Sequence, residues 1–219
     1  LAVTGQILPS TLEDVTLCAE FEDQVVAGES AIPKAKRPIK RVFIHPAHAL
    51  AYTDAVRAIL QADLIVLGPG SLFTSVLPNL LVPGLAQAVR ASRALCIYAC
   101  NVATQPGETE GFTVDDHVRI LSAHLGADIF NCVLANSNFD LPAGWADRVQ
   151  LVRLGTGLVS GRPYEMVTAD LLDSERPYQH NPDLLASSIM RLFYEKAVAR
   201  NGHRLALSRT LDDLRAQLR

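Results

Sequence analysis

Short apolar runs alternate with helical patterns along most of this chain. Leu17, Ala19 and Phe21 alternate with polar or small residues, which predicts a half-buried strand. A turn at 22–24 leads to a second short strand at 25–27, so we expect the two strands to form a hairpin. Further strands are predicted at 41–44, 63–67, 95–99, 131–135 and 149–154.

Helical patterns fill most of the segments between the later strands. Pro83 is a favoured first helical position, whereas Pro78 is expected to interrupt the short helical piece that follows residue 70. Thr113 and Asp116 have the spacing of a capping box, with Asp in place of the usual Glu. Longer helices are predicted at 53–62, 83–92, 113–126, 182–200 and from 210 to the end of the sequence.

The order of these elements predicts the fold class. From residue 54 onward, strands alternate with helices, a pattern typical of a parallel sheet with helices on both faces. The sequence therefore predicts an α/β fold with a mostly parallel sheet and an antiparallel hairpin near the start. Such folds bind ligands outside the carboxyl ends of their strands. The loops at 68–75, 101–109 and 136–140 all follow predicted strands, so we expect them to gather at that edge.

The segment after the strand at 63–67 reads Gly-Pro-Gly-Ser and then becomes helical. Glycine allows backbone angles that a side chain would forbid, and it lets a ligand approach the main chain. Unpaired N–H groups at a helix start, together with hydroxyl groups, suit a phosphate or another anion. A tight turn that binds nothing explains the pattern equally well. The candidate phosphate-binding residues are Gly68, Pro69, Gly70, Ser71, Thr74, Ser75 and Asn79.

The loop after the strand at 95–99 carries a dense group of polar side chains. Pro106-Gly107 is a turn pair, surrounded by an amide, a carboxylate and hydroxyls. This composition suits hydrogen bonding to a sugar or a base, although a polar surface loop without a ligand also explains it. Two such loops after parallel strands favour the ligand site. With two residues from later segments, the candidate sugar- or nucleotide-binding residues are Asn101, Thr104, Gln105, Gly107, Glu108, Thr109, Asn136 and His180.

Structural roles remain open for several of these residues. Asn79 either caps a broken helix end or points into the cleft, and Asn136 either structures its own loop or lines the same edge. His180 and Asn181 precede the long helix, where capping is favoured over ligand contact. No residue is identified as catalytic or as a metal ligand, because zinc spacings, a nucleophile elbow, a Walker A motif and G-x-G-x-x-G do not occur in the sequence.

Composition and charge exclude several classes of protein. The 219 residues are 49% hydrophobic and 20% charged, which allows a substantial core in one large domain. The net charge of −3 argues against a nucleic-acid partner, and no apolar run approaches the ~20 residues that membrane insertion needs. No signal-peptide pattern precedes the first strand, so a cytoplasmic protein is expected. The four cysteines lie in apolar segments and are expected to be structural thiols.

Two long motifs resemble a known family. GPGSLFTSVLPNLLVPG at 68–84 and CNVATQPGETEGF at 100–112 are similar to the YvcK branch of the CofD-like family, described as gluconeogenesis factors. The likeness extends to about residue 200 and implies a Rossmann-like three-layer α/β/α fold. Residues 1–200 would form the family domain and 201–219 a terminal helical extension. Family members usually carry a glycine-rich loop well upstream of the first residue of this sequence, so the resemblance implies that the chain lacks half of its ligand cleft.

The resemblance also implies a function. YvcK-type members are cytoplasmic regulators of carbon use and cell shape that bind UDP-sugars such as UDP-N-acetylglucosamine, without established catalysis. The CofD branch instead transfers a phospholactyl group onto a deazaflavin coenzyme precursor with magnesium, and a carboxylate such as Glu108 would then hold the metal. The segment 104–109 resembles the YvcK branch. Gln179 stands where that branch has a basic residue, so this chain departs from the family pattern at one of the positions that would contact the nucleotide sugar.

The resulting hypothesis is a binding protein with two subsites. Residues 68–75 hold phosphate, while Asn101 and 104–109 hold sugar or ribose, and Arg153 and Arg162 are candidate cations. A third interpretation is an interaction module, and a homodimer is one assembly that the sequence allows. The interaction module is suggested by the predicted terminal helix of the chain. This helix carries an apolar stripe at helical spacing, formed by Leu207, Leu211, Leu214 and Leu218.

Overall fold

The computed structural model describes residues 5–126, 128–155 and 164–200, and within these ranges the strands form two sheets. The first sheet is antiparallel in the order β2-β1-β3, with β1 at Thr16–Glu20, β2 at Val25–Ala27 and β3 at Arg41–His45. The second is parallel in the order β4-β5-β6-β7, with strands at Leu64–Leu67, Leu95–Ala99, Cys132–Asn136 and Glu165–Ala169. The predicted hairpin and the predicted parallel sheet are both confirmed.

Five α-helices connect or cover these strands in the described part of the chain. In chain order, α1 to α5 are Thr53–Gln61, Leu77–Leu80, Pro83–Ala91, Val114–Leu125 and Pro182–Arg200. The predicted capping box is present at the start of α4, where Thr113 Oγ1 accepts from Asp116 N and Asp116 Oδ2 accepts from Thr113 N. Because two otherwise unpaired N–H groups are satisfied there, the helix has a defined start. The predicted terminal helix and its leucine stripe lie outside the described residues.

Strand β5 shows why the fold has three layers. Successive side chains of a strand point to opposite faces, and in β5 all five residues are buried. Cys96 and Tyr98 contact an apolar cluster that contains residues of α3, α4 and the antiparallel sheet. Leu95 and Ile97 contact a second cluster on the other face, which includes Leu192 of α5. The strand is therefore apolar throughout because both of its faces are covered, as in the predicted three-layer α/β/α fold.

The four cysteines are buried thiols, as expected from their apolar surroundings. Burial raises the pKa of Cys96 and of Cys100 to about 12, and it raises the pKa of Cys132 to about 11. These three residues lie on or directly after β5 and β6. Their thiols therefore stay protonated near neutral pH and act as small apolar side chains.

The prediction of a strand at 149–154 is wrong. Only Leu151 pairs there, in a single antiparallel bridge with Ala103, while Val149 and Val152 are buried without belonging to a strand. The strand beside β6 is instead β7, whose residues are half-buried or exposed. An alternation of apolar residues shows that a segment is buried, but it does not show that the segment pairs with a neighbouring strand. For this reason the pattern predicted a strand at 149–154, which is buried but irregular, and did not reveal β7, which is less apolar.

The prediction that Pro78 interrupts the helical segment after residue 70 is also wrong. A five-residue π-helical turn over Leu72–Val76 continues directly into α2, and Pro78 lies in the first turn of α2, next to this junction. The bend comes later, between 80 and 83, where the axis turns by 76°. In the described residues no single helix has the length and apolar character to cross a membrane, although the bent pair Leu72–Leu80 and Pro83–Ala91 meets that test by length and composition alone.

The loop after β5 packs tightly against the segment that joins β2 to β3. Gly107 has a φ of +83°, and a Cβ atom added there would lie 2.1 Å from the carbonyl oxygen of Pro33. Gly111, four residues later, has a φ of +75° and open space around the same position. Gly107 is thus required both by its backbone angle and by close main-chain contact.

We predict that Gly107→Ala destabilises the protein more than Gly111→Ala. The Gly111 change meets only the left-handed backbone strain, about 1–2 kcal/mol. The Gly107 change adds an overlap with a backbone carbonyl, which costs about 1–3 kcal/mol more. Urea denaturation of both variants measures the difference. Equal losses of unfolding free energy in the two variants would show that the contact with Pro33 does not constrain this loop.

Candidate functional site

Hydrogen bonds join the loops that follow β4 and β5 at the carboxyl edge of the parallel sheet. Gln105 Nε2 donates to Ser71 Oγ at 2.6 Å. Asn101 forms two hydrogen bonds with the main chain of Gly70, donating from Nδ2 to the carbonyl oxygen at 3.0 Å and accepting from the amide at 3.3 Å. Because β4 and β5 are parallel neighbours, both loops leave the sheet at the same edge. The structure therefore brings the two predicted subsites together.

Gly68 allows the first of these loops to cross the end of β5. It has a φ of +83°, and a Cβ atom added there would lie 3.0 Å from the carbonyl oxygen of Ala99. The peptide bond between Gly68 and Pro69 is cis. A larger residue at 68 would push the loop away from β5, so this glycine sets the distance between the two loops.

A cavity of about 390 Å³ lies between these loops and the segment before α5. Apolar surface comes from Pro69, Val102, Ala103, Pro182 and Leu185. Polar and aromatic surface comes from Gly70, Asn101, Gln105, Tyr178, Gln179 and His180. An apolar surface with a few polar groups is the usual composition of a small-molecule site. Tyr178 was not predicted as a site residue, and it lies in the loop that follows the missed strand β7.

His180 lines the cavity, while its neighbour Asn181 caps α5. Asn181 Oδ1 accepts from the amides of Asp183 and Leu184 at 3.1 and 3.0 Å. His180 Nε2 lies 3.1 Å from the carbonyl oxygen of Cys100, which can only accept, so Nε2 carries the proton. Burial lowers the pKa of His180, opposed by this hydrogen bond. The ring is therefore neutral near pH 7, and Nδ1 is left as a hydrogen-bond acceptor.

The carboxyl group of Glu108 contacts the start of the helical segment that follows Ser71. Thr74 Oγ1 donates to Glu108 Oε1 at 2.9 Å, and Oε2 is buried without a hydrogen-bond partner among the described residues. Burial raises the pKa of Glu108, an effect opposed by the Thr74 hydroxyl and by the nearby N–H groups of Phe73 and Thr74. The helix start that was predicted to receive a phosphate therefore faces a carboxyl group of the protein itself.

Two other predicted site residues, Asn79 and Thr109, form hydrogen bonds with other residues of the protein. Asn79 Oδ1 accepts from Ser10 Oγ at 2.6 Å, and its Nδ2 donates to the carbonyl oxygen of Ser75 at 2.7 Å. Thr109 Oγ1 accepts from the amide of Gln105 at 2.9 Å and is fully buried. The contacts of Asn79 join the start of the described chain to the helix, so they are structural. A ligand role for these side chains stays a prediction.

Thr104 and Asn136 also form hydrogen bonds with other segments of the protein. Thr104 Oγ1 donates to Gln150 Oε1 at 3.2 Å. Asn136 Oδ1 accepts from the amide of Leu171 at 3.0 Å, and its Nδ2 donates to the carbonyl oxygen of Asn138. Asn136 thus joins the ends of β6 and β7 and does not line the cavity.

Cations and metal ligands are sparse near this edge of the described structure. The guanidinium group of Arg153 lies 4.3 Å from the centre of the Phe139 ring and does not line the cavity, while Arg162 lies outside the described residues. Within 5–126, 128–155 and 164–200, no three His, Cys, Asp or Glu side chains are grouped so that they could hold a metal ion.

The buried Glu108 carboxyl predicts a specific pH dependence of stability. Because its pKa is raised above 4.5 in the folded protein, the folded state retains this proton to higher pH than the unfolded chain. Its contribution to stability is therefore present below pH 4.5 and is lost as the pH rises through the folded-state pKa. We expect Glu108→Gln to flatten this decline in unfolding free energy, measured by urea denaturation at a series of pH values.

Glu22→Gln is the matched control, since the Glu22 side chain is 91% exposed. This variant should keep the pH slope of the parent protein. A Glu108→Gln variant with the same slope as the parent would contradict the raised pKa.

Comparison with known proteins places this geometry in a family. Residues 1–152 match the family model described as 2-phospho-L-lactate transferase CofD. A relative from Nostoc sp. is 41% identical over 201 residues, which is 88% of this chain and 44% of that protein. The gluconeogenesis factor of Bacillus subtilis is 47% identical over 143 residues, covering 65% of this chain and 45% of its own length. The chain thus spans about half the length of these curated relatives.

A solved structure supports the same relationship. The crystal structure of a UPF0052 family member from Bacillus halodurans superposes with a TM-score of 0.79 at 36% identity. The match covers 86% of this chain and 63% of the other. The shared three-layer fold and the extent of the family match lead to one conclusion: the chain belongs to the CofD family, with the gluconeogenesis factors among its relatives.

Proposed function

We propose that this protein binds a nucleotide sugar of the UDP-N-acetylglucosamine type, and that it acts as a cytoplasmic regulator of carbon metabolism and cell-wall morphogenesis. The observation that carries the proposal is the cavity at the carboxyl edge of the parallel sheet, where two hydrogen-bonded loops meet the segment before α5. The relatives named gluconeogenesis factor support the regulatory role.

The size of the cavity suits part of such a ligand. About 390 Å³ lies near the lower end of the range of ~300–1,000 Å³ that is common for small-molecule sites. The amides of Asn101 and Gln105 are held in place by their contacts with Gly70 and Ser71. A ligand that hydrogen-bonds to these amides therefore meets groups that are already oriented, which reduces the entropic cost of binding.

Phosphate contacts alone do not account for tight binding. A helix start contributes about 0.3–1 kcal/mol to the binding of an anionic group, or up to ~2 kcal/mol when partly buried. Micromolar affinity requires about −8 kcal/mol. The amide of Gly70 already donates to Asn101, and the helix start near Thr74 faces Glu108. Most of the binding free energy must therefore come from the ring portions of the ligand or from a segment beyond the described residues.

The description of the matching family model favours a second candidate, the transfer of a phospholactyl group onto a deazaflavin precursor. Glu108 is the candidate carboxylate, but it does not line the cavity; its Oε1 accepts from the Thr74 hydroxyl, and its Oε2 is buried. Among the described residues no Asp or Glu lines the cavity, and no three His, Cys, Asp or Glu side chains are grouped around a possible metal position, so no step is derived through magnesium. Deazaflavin turnover in the presence of magnesium would establish the enzyme, and its absence would favour the binding protein.

The proposal predicts that Gln105→Ala weakens the binding of UDP-N-acetylglucosamine. Gln105 lines the cavity and holds both Ser71 and Asn101. Loss of one or two neutral hydrogen bonds should raise the dissociation constant by about 3- to 10-fold. Isothermal titration calorimetry measures this change.

Gln87→Ala is the matched control, because Gln87 is exposed on α3 and does not line the cavity. The control should bind like the parent protein. The proposal fails if the parent protein does not bind the nucleotide sugar, or if both glutamine variants bind with the affinity of the parent.

A further inference from the structure

We propose that the cavity takes the uncharged ring portion of its ligand, a nucleobase or a hexose, which stacks on Tyr178, while the phosphates stay outside it. The identity of the ligand as a nucleotide sugar rests on the function proposed above. The choice of ring over phosphate rests on charge, on aromatic surface and on the hydrogen-bonding groups of the cavity.

Charge disfavours a phosphate in this cavity. Among its described lining residues there is no lysine, arginine, aspartate or glutamate, and His180 is neutral because burial lowers its pKa. The helix start that borders the cavity is closed by Asn181, whose side chain accepts from the first free amides of α5. The amide of Gly70 donates to Asn101. An anion placed there would lose its hydration without gaining a cation or a free group of amides.

An aromatic surface favours a ring. Tyr178 lines the cavity, and 48% of the residue is exposed. Its ring packs against Trp145 with centroids 5.7 Å apart at a 47° tilt, and Trp145 in turn packs on the apolar cluster under α5. Tyr178 is therefore held by a fixed neighbour while about half of its surface stays open. Exposed aromatic faces bind bases by stacking, and sugars pack on them through their C–H groups.

The polar groups of the cavity match an uncharged ring that carries both donors and acceptors. His180 Nδ1 is an acceptor, since Nε2 donates to the carbonyl oxygen of Cys100. Gln179 also lines the cavity, and an amide side chain of this type carries both an acceptor and two donors. Val102 and Leu185 add apolar surface beside them. The combination of stacking face, acceptor and amide is what a nucleobase or a hexose requires, and it offers little to a phosphate.

The experiment compares ring and phosphate probes on three variants. Tyr178→Leu keeps apolar bulk against Trp145 but removes the ring, and Tyr178→Phe keeps the ring but removes the hydroxyl. Tyr194→Ala is the control, because Tyr194 packs against Phe193 on α5 and does not line the cavity. UDP-N-acetylglucosamine is titrated by calorimetry. Uridine, N-acetylglucosamine and inorganic pyrophosphate are each tested at millimolar concentration by ligand-observed NMR.

We expect Tyr178→Leu to raise the dissociation constant of the nucleotide sugar by about 10-fold, since one stacked ring is lost. Tyr194→Ala should bind as the parent protein does, and Tyr178→Phe, which keeps the ring, should retain most of the affinity that Tyr178→Leu loses. Uridine or N-acetylglucosamine, whichever enters the cavity, should bind the parent protein and be lost in Tyr178→Leu. Any pyrophosphate signal should be the same in the parent protein and in Tyr178→Leu.

The inference is overturned if no ring probe binds the parent protein, if Tyr178→Leu leaves ring binding unchanged, or if it weakens pyrophosphate as much as the ring probes. Failure of the proposed function gives a different result. In that case uridine or N-acetylglucosamine binds and depends on Tyr178, but the complete nucleotide sugar does not bind.

Discussion

The parallel register of β4, β5, β6 and β7 determines where every candidate site residue can lie. Each strand runs in the same direction and pairs with the next in chain order, so the segments that follow the strands leave at one edge. The Gly-Pro-Gly turn, the Asn101 loop and the segment that ends at His180 meet there for this reason. Without this pairing, residues separated by more than a hundred positions, such as Gly70 and His180, would not border one cavity.

The polar side chains of this edge are largely bonded to one another. Asn101 holds Gly70, Gln105 holds Ser71 and Asn181 holds the first turn of α5. Such bonds satisfy groups that would otherwise be desolvated without a partner, and they fix the shape of the cavity before any ligand arrives. Glu108 is one exception, because its Oε2 atom is buried without a hydrogen-bond partner among the described residues. Under the proposed function, this arrangement would distinguish ligands by their shape and hydrogen-bonding groups more than by their charge.

The sequence predicted those parts of the fold that depend on local chemistry. The capping box of α4 was evident from Thr113 and Asp116, and the turn after β4 from its two glycines. The sequence did not reveal β7, because that strand is not continuously buried and carries no clear apolar alternation. Tyr178, in the loop that follows β7, was missed as a cavity residue, although His180 in the same loop was among the predicted site residues. Contacts between distant segments, such as Asn79 with Ser10, leave no local pattern at all.

The buried thiols of β5 and β6 have a practical consequence. Alkylating reagents attack the thiolate, and here the sulfur atoms are both protonated and shielded by packed side chains. Modification can proceed only when the central strands separate enough to admit the reagent. Cys96, Cys100 and Cys132 thus serve as built-in reporters of how often the central parallel sheet opens, with no need for an introduced label.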